Sequence, residues 1–149
     1  MADRLNISTV MENKEKRSIL IPYKIKDGRV LVYLQKRAKD ARRLPDYFGF
    51  FGGEPEGEEN PEEALEREIK EEMNFIPQTY KLLGKYDFGK SVKHIFIMEV
   101  DDNFENKIQV LEGEYGKYFS EDEALDEPKL IEEDKIVLRD LYKFLWAKN

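Results

Sequence analysis

The sequence contains no cysteine and no long apolar run, and both absences exclude classes of protein. Without cysteine there is no disulfide framework and no zinc site built from thiolates. No apolar stretch reaches the length of a signal-peptide core or a membrane span. We therefore expect a soluble protein with no membrane contact, and a cytoplasmic location is the default expectation.

The sequence also lacks an excess of positive charge: its formal net charge is -7 at pH 7. Binding to nucleic acid through bulk charge needs a basic surface, so general nucleic-acid binding is not expected. The one concentrated basic stretch runs from Lys36 to Arg43. Two interpretations stay open: the stretch is an ordinary solvated surface, or Arg37 or Arg42 neutralises a phosphate group of a substrate.

Histidine and tryptophan each occur once, as His94 and Trp146. His94 shares the strand phase of apolar neighbours, and in that setting a packed or hydrogen-bonded histidine is more common than a catalytic base. Trp146 and the pair Phe50 and Phe51 are more typical of a core than of a platform for stacking bases. Tyr47 remains a candidate for a contact with the substrate.

The sequence does contain enough apolar material for one folded domain. Of its 149 residues 40% are hydrophobic, and a chain of this length buries about 68–70% of its unfolded surface around one core. We therefore expect a single domain over residues 1–149. Residues 1–16 are polar, and we expect this segment to be peripheral or disordered.

Strand and helix patterns alternate along the chain, which indicates an α/β fold. Six segments show strand patterns, four strong and two weak: 17–25, 29–36, 80–88 and 92–100, then 107–111 and 116–119. Asp27 and Gly28 predict a hairpin turn between the first two. Pro22 predicts an edge position or an irregularity in the first strand. A short helix at 121–124 and a longer one at 133–147 are predicted to close the chain, the longer one packed on the sheet.

A glycine-led acidic loop beginning at Gly53 runs into a well-marked helix. Asn60 is a good N-cap, Pro61 suits the first helical position, and Glu63 stands where the carboxylate of a capping box reaches back. Asn74 can adopt the left-handed conformation that ends a helix. The sequence therefore predicts a helix from Pro61 to the residue before Asn74.

This helix places Glu68, Glu71 and Glu72 at positions i, i+3 and i+4, so their carboxylates share one face. The C-terminal turn of a helix disfavours anions by roughly 0.3–1 kcal/mol each, and Glu68 and Glu72 repel each other. A solvated acidic face is one interpretation of this run. A cation between hard oxygen ligands relieves the repulsion, and that interpretation points to Mg²⁺ or Mn²⁺.

The segment from Gly53 to Phe75 resembles the Nudix box, the signature of the Nudix hydrolase family (MutT-like). The matching residues are Gly53, Glu59, Arg67, Glu68, Ile69, Glu71, Glu72 and Phe75. Asn74 stands where the motif has glycine, and asparagine is the next-best residue at a left-handed position. The resemblance implies an α/β/α sandwich around a mixed β-sheet.

The resemblance also implies a set of metal ligands. We expect the carboxylates of Glu68, Glu71 and Glu72 to bind Mg²⁺ or Mn²⁺, joined by Glu59 and by the carbonyl oxygen of Gly53. Hard oxygen atoms of this kind suit both ions.

The catalytic residues are expected in the box and in one loop after it. Arg67 is expected to orient a box glutamate through an ion pair. The general base is left open between the box, where Glu68 is preferred and Glu71 is a further candidate, and a loop carboxylate, Glu112 or Glu114. A carboxylate beside metal cations has a lowered pKa and is ionised at neutral pH.

Clustered carboxylates with one or more Mg²⁺ suit hydrolysis of a diphosphate linkage, which needs charge neutralisation, a nucleophilic water and a stabilised leaving phosphate. We expect a metal-dependent pyrophosphohydrolase that acts on a nucleoside diphosphate derivative, with a (deoxy)nucleoside triphosphate or a related nucleotide ranked first. Phe51 stands where many family members have proline, so the substrate of MutT-type enzymes does not transfer directly. The alternative is a catalytically silent Nudix-fold module that binds a nucleotide ligand or a protein partner. A homodimer, frequent in the family, stays open.

Overall fold

The computed structural model describes residues 14–148. Within that range the chain forms seven strands and four helices. The strands are β1 (Glu15–Lys26), β2 (Arg29–Lys36), β3 (Phe48–Gly49), β4 (Phe51–Gly53), β5 (Lys81–Asp87), β6 (Ser91–Glu99) and β7 (Tyr115–Ser120). The helices are α1 (Pro61–Met73), α2 (Phe104–Lys107), α3 (Glu121–Asp126) and α4 (Glu132–Lys148).

All seven strands join one mixed sheet around β1. β1 runs parallel to β6 along one side, and antiparallel to β4 and then β2 along the other. Antiparallel pairing extends the sheet from β2 to β3 and β7, and from β6 to β5. The predicted mixed sheet is confirmed.

The β1–β2 hairpin turns where the sequence predicts. Asp27 and Gly28 both have positive φ, 52° and 72°. This is the backbone of the two-residue turn that matches the twist of paired strands. Lys26 pairs with Arg29 across the turn, so β2 has the predicted bounds.

Pro22 lies inside the sheet, and the predicted edge position is wrong because β1 has partners on both sides. The predicted irregularity is present. β1 pairs with β4 as far as Leu20 and with β2 only from Tyr23 onward. Proline, which lacks a backbone N–H, therefore stands where the ladder on that side is interrupted.

Apolar side chains on the two faces of the sheet form two separate cores. Leu20 of β1 packs in one cluster with Ile69 and Met73 of α1. Its neighbours Ile19 and Ile21 pack in the other. The α4 residues of that second cluster are Val137, Leu138, Leu141, Tyr142 and Leu145. Side chains alternate between the faces of a strand, so helices cover both faces and the predicted α/β/α sandwich is confirmed.

The weak strand candidate at 107–111 is wrong. The chain there leaves helix α2 and continues as an irregular segment against the end of α1. The backbone N–H groups of Gln109 and Leu111 donate to the carbonyls of Met73 and Glu72, at 2.9 and 2.7 Å. The backbone of this segment is therefore hydrogen-bonded to the end of a helix and joins no strand ladder.

Two predictions about the start of the chain have different outcomes. Glu15 and Lys16, expected to be peripheral, begin β1 and pair with β6. Residues 1–13 lie outside the described residues, so the expectation for that segment and the single domain over 1–149 stay predictions. None of the helices within 14–148 is long and apolar enough to span a membrane.

The aromatic residues divide between core and surface. Phe50 and Phe51 are buried, with 8% and 0% of their surface exposed, so their predicted place in the core is confirmed. Trp146 is 45% exposed, and its predicted place in the core is wrong. The buried stripe of α4 includes Leu141 and Leu145, and the residue that follows Leu145 is rotated away from that stripe.

Candidate active site

Helix α1 begins and ends where the sequence predicts. The side chain of Asn60 accepts from the backbone N–H of Glu63 at 2.8 Å, and the Glu63 carboxylate accepts from the N–H of Asn60 at 3.0 Å. This capping box satisfies donors that the start of a helix leaves free. At the other end Asn74 has the left-handed φ of 49°, and its N–H donates to the carbonyl of Lys70. The helix is fixed at both ends, which fixes the positions of its glutamates.

The three clustered glutamates of α1 differ in burial. Glu72 is 5% exposed and belongs to the buried face of the helix. The side chains of Glu68 and Glu71 are 16% and 52% exposed. Only Glu72 points into the protein interior, while Glu71 lies at the surface.

The Glu72 carboxylate is held by the sheet. Its Oε2 accepts a hydrogen bond from the backbone N–H of Gly52 in β4, at 2.9 Å. Burial raises the pKa of Glu72 to about 8, and the charges of Glu112 and Glu68 add to this effect while the Gly52 hydrogen bond opposes it. A buried carboxylate with negative neighbours is stabilised by a proton or by a bound cation.

The double glycine of β4 allows a close approach to α1 and β1. A side-chain carbon at Gly53 would lie 2.6 Å from both carboxylate oxygens of Glu68. At Gly52, whose φ is +138°, the carbonyl oxygen of Ser18 occupies the space of a side chain. These two glycines therefore set how near the backbone of β4 lies to the carboxylates of α1.

Arg67 is surrounded by oxygen atoms from the box. Its guanidinium donates to Glu59 at 2.9 and 3.1 Å, to Glu68 at 3.0 Å and to Glu71 at 3.3 Å. It also donates to the carbonyl of Glu54 at 2.9 Å. The hydrogen bonds with Glu59 raise the pKa of Arg67 above its ordinary value and lower the pKa of Glu59. Burial raises the pKa of Glu68, against the opposing effect of Arg67. One cation thus holds three glutamates of the box together.

The sequence leaves two loop carboxylates, Glu112 and Glu114, as candidates. Of these, Glu112 affects the pKa values of the box glutamates. Its charge raises the pKa of both Glu68 and Glu72. The loop is tied to the helix by the backbone N–H of Leu111, which donates to the carbonyl of Glu72 at 2.7 Å. Glu114 is not among the main charges that act on either box glutamate.

The donor set suits a hard divalent cation by its chemistry, since carboxylate oxygens are the ligands that Mg²⁺ and Mn²⁺ prefer. Within residues 14–148 no three or more acidic or histidine side chains are already arranged around a common metal position. In this structure the carboxylates of Glu68 and Glu71 are both hydrogen-bonded to the guanidinium of Arg67. The residues of the box fit a divalent metal by the chemistry of their oxygen atoms.

A basic cleft of about 360 Å³ opens between the sheet and the start of α4. Arg37 and Arg42, proposed from the sequence as phosphate contacts, both line it. So do three cations that the sequence analysis did not select: Arg17, Arg43 and Lys93. Arg43 belongs to the basic stretch, but no local pattern marks Arg17 in β1 or Lys93 in β6 as members of a site.

Other polar residues shape the cleft. Tyr47 is not among the residues that line it, and its carbonyl accepts from the backbone N–H of Arg37 at 2.8 Å. Lys93 and Asp134 form a buried ion pair with 3.4 Å between Nζ and Oδ1, and their side chains are 6% and 8% exposed. Burial raises the pKa of Asp134, and Lys93 opposes that effect.

His94 lies half-buried in β6, in register with Ser18 of β1. With Lys16 and Lys85 it lines a separate pocket of about 500 Å³ that also reaches Glu59. Burial, and next the charge of Lys85, lower the pKa of His94. Both effects favour the neutral form of the imidazole.

Comparison with known proteins identifies the family of this chain. The model of the NUDIX domain matches residues 14–141. The 8-oxo-dGTP diphosphatase of Escherichia coli (strain K12) is 30% identical over 90 residues, which span 60% of this chain and 69% of that protein.

Solved structures share the fold at low sequence identity. The NUDIX domain of Shewanella oneidensis NrtR, crystallised with ADP ribose, has a TM-score of 0.71 at 15% identity, over 89% of this chain and 88% of that chain. A C. elegans Ap4A hydrolase in a binary complex has a TM-score of 0.67 at 19% identity, over 89% of this chain and 98% of that chain. These likenesses show a common fold.

Proposed function

Because the chain belongs to the NUDIX family and is a hydrolase of phosphoric anhydrides, we propose that it cleaves the diphosphate linkage of a nucleoside diphosphate derivative in a metal-dependent reaction. A (deoxy)nucleoside triphosphate or a related nucleotide is the first candidate. The observation that carries the proposal is the buried Glu72 carboxylate, whose pKa is raised by burial and by Glu112 and Glu68. Such a cluster is stabilised by a divalent cation, and a cation placed there serves diphosphate hydrolysis.

The family generally uses divalent metal ions, and we assign Mg²⁺ or Mn²⁺ to the box. The proposed ligands are the carboxylates of Glu59, Glu68, Glu71, Glu72 and Glu112 and the carbonyl oxygen of Gly53. When bound, the metal supplies neutralisation of phosphate charge and a more acidic water.

In the proposed reaction Glu68 accepts the proton of the attacking water. Beside a bound cation its carboxylate would be ionised at neutral pH and able to accept that proton. The water oxygen bonds to phosphorus as the bond from phosphorus to the bridging oxygen breaks, which leaves two phosphorylated halves. Arg67 does not touch the substrate, and its ion pairs at 2.9 and 3.0 Å orient Glu59 and Glu68.

Arg37 and Arg42 hold the substrate phosphates from the cleft side of β4. The charge of Glu72 acts on the pKa of Arg37, so the box and this guanidinium lie within electrostatic range of each other. We therefore assign one phosphate of the bound diphosphate to Arg37, because a guanidinium donates two parallel hydrogen bonds to phosphate oxygens.

The names of related proteins support a nucleotide as substrate. The Escherichia coli relative is a diphosphatase of 8-oxo-dGTP, the C. elegans protein is a hydrolase of Ap4A, and the Shewanella oneidensis domain was crystallised with ADP ribose. All three compounds are nucleotide derivatives, which is the class proposed here.

The test is hydrolysis of a panel of nucleoside triphosphates, nucleotide sugars, ADP-ribose and dinucleoside polyphosphates, with Mg²⁺, Mn²⁺ or a chelator. We expect metal-dependent turnover by the wild type and a loss of at least about 100-fold in Glu72→Gln. Glutamine has the shape of the protonated carboxyl, so the fold is kept. Glu62→Gln, which makes the same change at an exposed position of α1, is the matched control.

Full activity in Glu72→Gln would overturn the metal assignment. No turnover by the wild type across the panel, together with a melting temperature that rises with Mg²⁺, would favour the catalytically silent module instead.

Three expectations from the sequence stay predictions: a cytoplasmic location, a lack of general nucleic-acid binding, and a homodimer as an open alternative. Sedimentation equilibrium decides the last by comparison with the chain mass of 17.7 kDa. Titration with duplex DNA at physiological salt decides the second.

A further inference from the structure

A second pocket, separate from the basic cleft, opens on the face of the sheet that α1 covers, and its volume is about 500 Å³. Leu20 and Phe96 pack against α1 on this face. Side chains two positions apart along a strand share a face, so Ser18 and His94, which line the pocket, lie on it too. The basic cleft is lined by Ile19, which packs in the core of the opposite face. The pocket and the cleft therefore open on opposite faces of the sheet.

Helix α1 begins part of the way along this face and leaves the rest of it uncovered. The hydroxyl of Ser18 donates to the carbonyl of Pro61, the first residue of α1, at 2.8 Å. β1 extends further toward its N-terminus than this contact, and there Lys16 pairs in register with Val92 of β6. Both line the pocket, as does Pro55 of the loop before α1. The pocket is therefore a strip of open sheet bordered by the start of α1.

The strand register places three polar side chains in one row across this strip. Ser18 of β1, His94 of β6 and Lys85 of β5 are consecutive partners. Lys16 stands one row nearer the start of β1, so two lysines from the strands on either side of β6 flank the imidazole. Burial lowers the pKa of His94 most, and the charges of Lys85 and Lys16 add to that effect while Glu62 opposes it. Both ammonium groups are therefore within electrostatic range of His94.

These two lysines have no carboxylate partner in the described part of the chain. Neither Lys16 nor Lys85 takes part in an ion pair or a side-chain hydrogen bond within residues 14–148. The other charged groups of the pocket are each paired. The pairs are Lys14 with Asp87 at 2.7 Å, Arg17 with Glu15 at 3.0 Å, and Glu59 with Arg67 at 2.9 Å. The pocket therefore keeps two positive charges that no ion pair of the described residues neutralises.

The rest of the lining is apolar. It consists of Val92, Pro55 and Pro61, together with the carbon chains of the lysines, which cover apolar surface while their ammonium groups stay in water. The volume of about 500 Å³ is that of a pocket for a small molecule. An apolar body buried here gains free energy from the surface it removes from water, and an anionic group attached to it gains from the two ammonium groups. A hydrated inorganic ion gains only the second of these.

We propose that this pocket binds a small organic anion, whose apolar body lies against Val92 and the prolines while its phosphate or carboxylate group lies between Lys16 and Lys85. The site is distinct from the basic cleft, and the inference does not rest on the proposed function. It adjoins the box at one residue, Glu59, which lines the pocket and pairs with Arg67. An anion bound here would therefore touch the loop that leads into α1.

The imidazole of His94 is the reporter for the first test, because the chain has one histidine and its ring resonances in a carbon–proton NMR spectrum stand alone. The full chain is titrated with phenyl phosphate, benzoate and inorganic phosphate, with a chelator present, at about pH 8, above the lowered pKa of the imidazole. We expect a saturable shift with at least one aromatic anion, and a Kd at least about five-fold higher for inorganic phosphate. The aromatic anion that binds more tightly identifies the anionic group. No saturable shift with either aromatic anion would overturn the site, and a Kd for inorganic phosphate as low as theirs would overturn the organic ligand.

Substitution of the two lysines is the second test. Both are exposed, so Lys16→Gln and Lys85→Gln should keep the fold, which thermal denaturation checks. We expect each substitution to raise the Kd of the tighter aromatic anion by about five-fold. Lys81→Gln is the matched control, with Kd within about two-fold of the wild type, because Lys81 is exposed in the same strand as Lys85 and its Nζ lies over the ring of Phe144 on the other face of the sheet. Equal rises in all three variants would reduce the effect to net charge and overturn the site, as would an unchanged Kd in both pocket variants.

Discussion

The two sides of strand β4 carry opposite imbalances of charge. On the α1 side a single cation, Arg67, lies among carboxylates of the box. On the cleft side five cations line the surface with three carboxylates, and one of these, Glu15, pairs with both Arg17 and Arg43. The first side is stabilised by an added cation and the second by an added anion. The proposed ligand, a magnesium complex of a nucleotide, would supply both together, with its metal and its phosphates on separate surfaces of the fold.

The largest effect is expected from a substitution of Glu112, the loop carboxylate that adds negative charge on the α1 side of β4. Glu112→Gln removes a charge that acts on both Glu68 and Glu72, so we expect kcat/KM with Mg²⁺ to fall by about 100-fold. Glu114→Gln is the matched control, with activity expected within about two-fold of the wild type. Steady-state kinetics on the preferred substrate measures both. Equal losses in the two variants would remove Glu112 from the proposed site.

A smaller effect is expected on the free energy of unfolding, and it tests the excess of negative charge on the α1 side. The folded pKa of Glu72 is about 8, above the unfolded value of about 4.3, so between these values the folded state holds one more proton. The free energy of unfolding of the metal-free protein should therefore fall as pH rises through this window, by at most about 1.4 kcal/mol per pH unit. Glu72→Gln should remove this contribution.

Thermal denaturation of both proteins in chelator, at several pH values across the window, measures that slope. Added Mg²⁺ should flatten the slope of the wild type, because metal binding replaces the proton. Parallel pH profiles for wild type and Glu72→Gln would show that the folded and unfolded pKa values of Glu72 are equal.

The smallest effect is expected at the end of α1. Asn74→Gly relaxes the left-handed backbone at φ 49° but removes the hydrogen bond from Lys70 Nζ to Asn74 Oδ1 at 2.9 Å. We expect the free energy of unfolding to change by less than about 1 kcal/mol and turnover to stay at the wild-type level. Asn74→Val, which strains the same backbone, should destabilise the protein by more. Loss of activity in the glycine variant would show that the residue at this helix end positions the carboxylates.

The α1 side could be predicted from the sequence because its signals are local. The caps of the helix, Asn60 with Glu63 and Asn74 with Lys70, join residues three or four positions apart. The spacing of the glutamates then follows from the helix itself. Strands β3 and β4 were not predicted, because a strand of two or three residues is too short to show periodicity.

On the cleft side the sequence singled out Arg37 and Arg42, but the other charged residues of the cleft could not be predicted, because distant segments supply them. Arg17 and Lys93 meet only because β1 and β6 pair in parallel with these two residues in register, and a parallel register has no local sequence signal. Asp134 joins them from α4. Our preference for Glu112 over Glu114 likewise needed the structure, because the loop lies against α1 through a hydrogen bond from Leu111 to the carbonyl of Glu72.

The parallel pairing of β1 with β6 also affects the order in which helix α1 and the basic cleft can form during synthesis. Helix α1 and the β1–β2 hairpin depend on near neighbours and can form early on a growing chain. β1 waits for its parallel partner until β6 has left the ribosome, and the cleft waits longer, for Asp134 of α4. A nascent chain therefore carries its acidic helix before the basic cleft is complete, and the cleft, where we propose that phosphate binds, is among the last parts of the molecule to form.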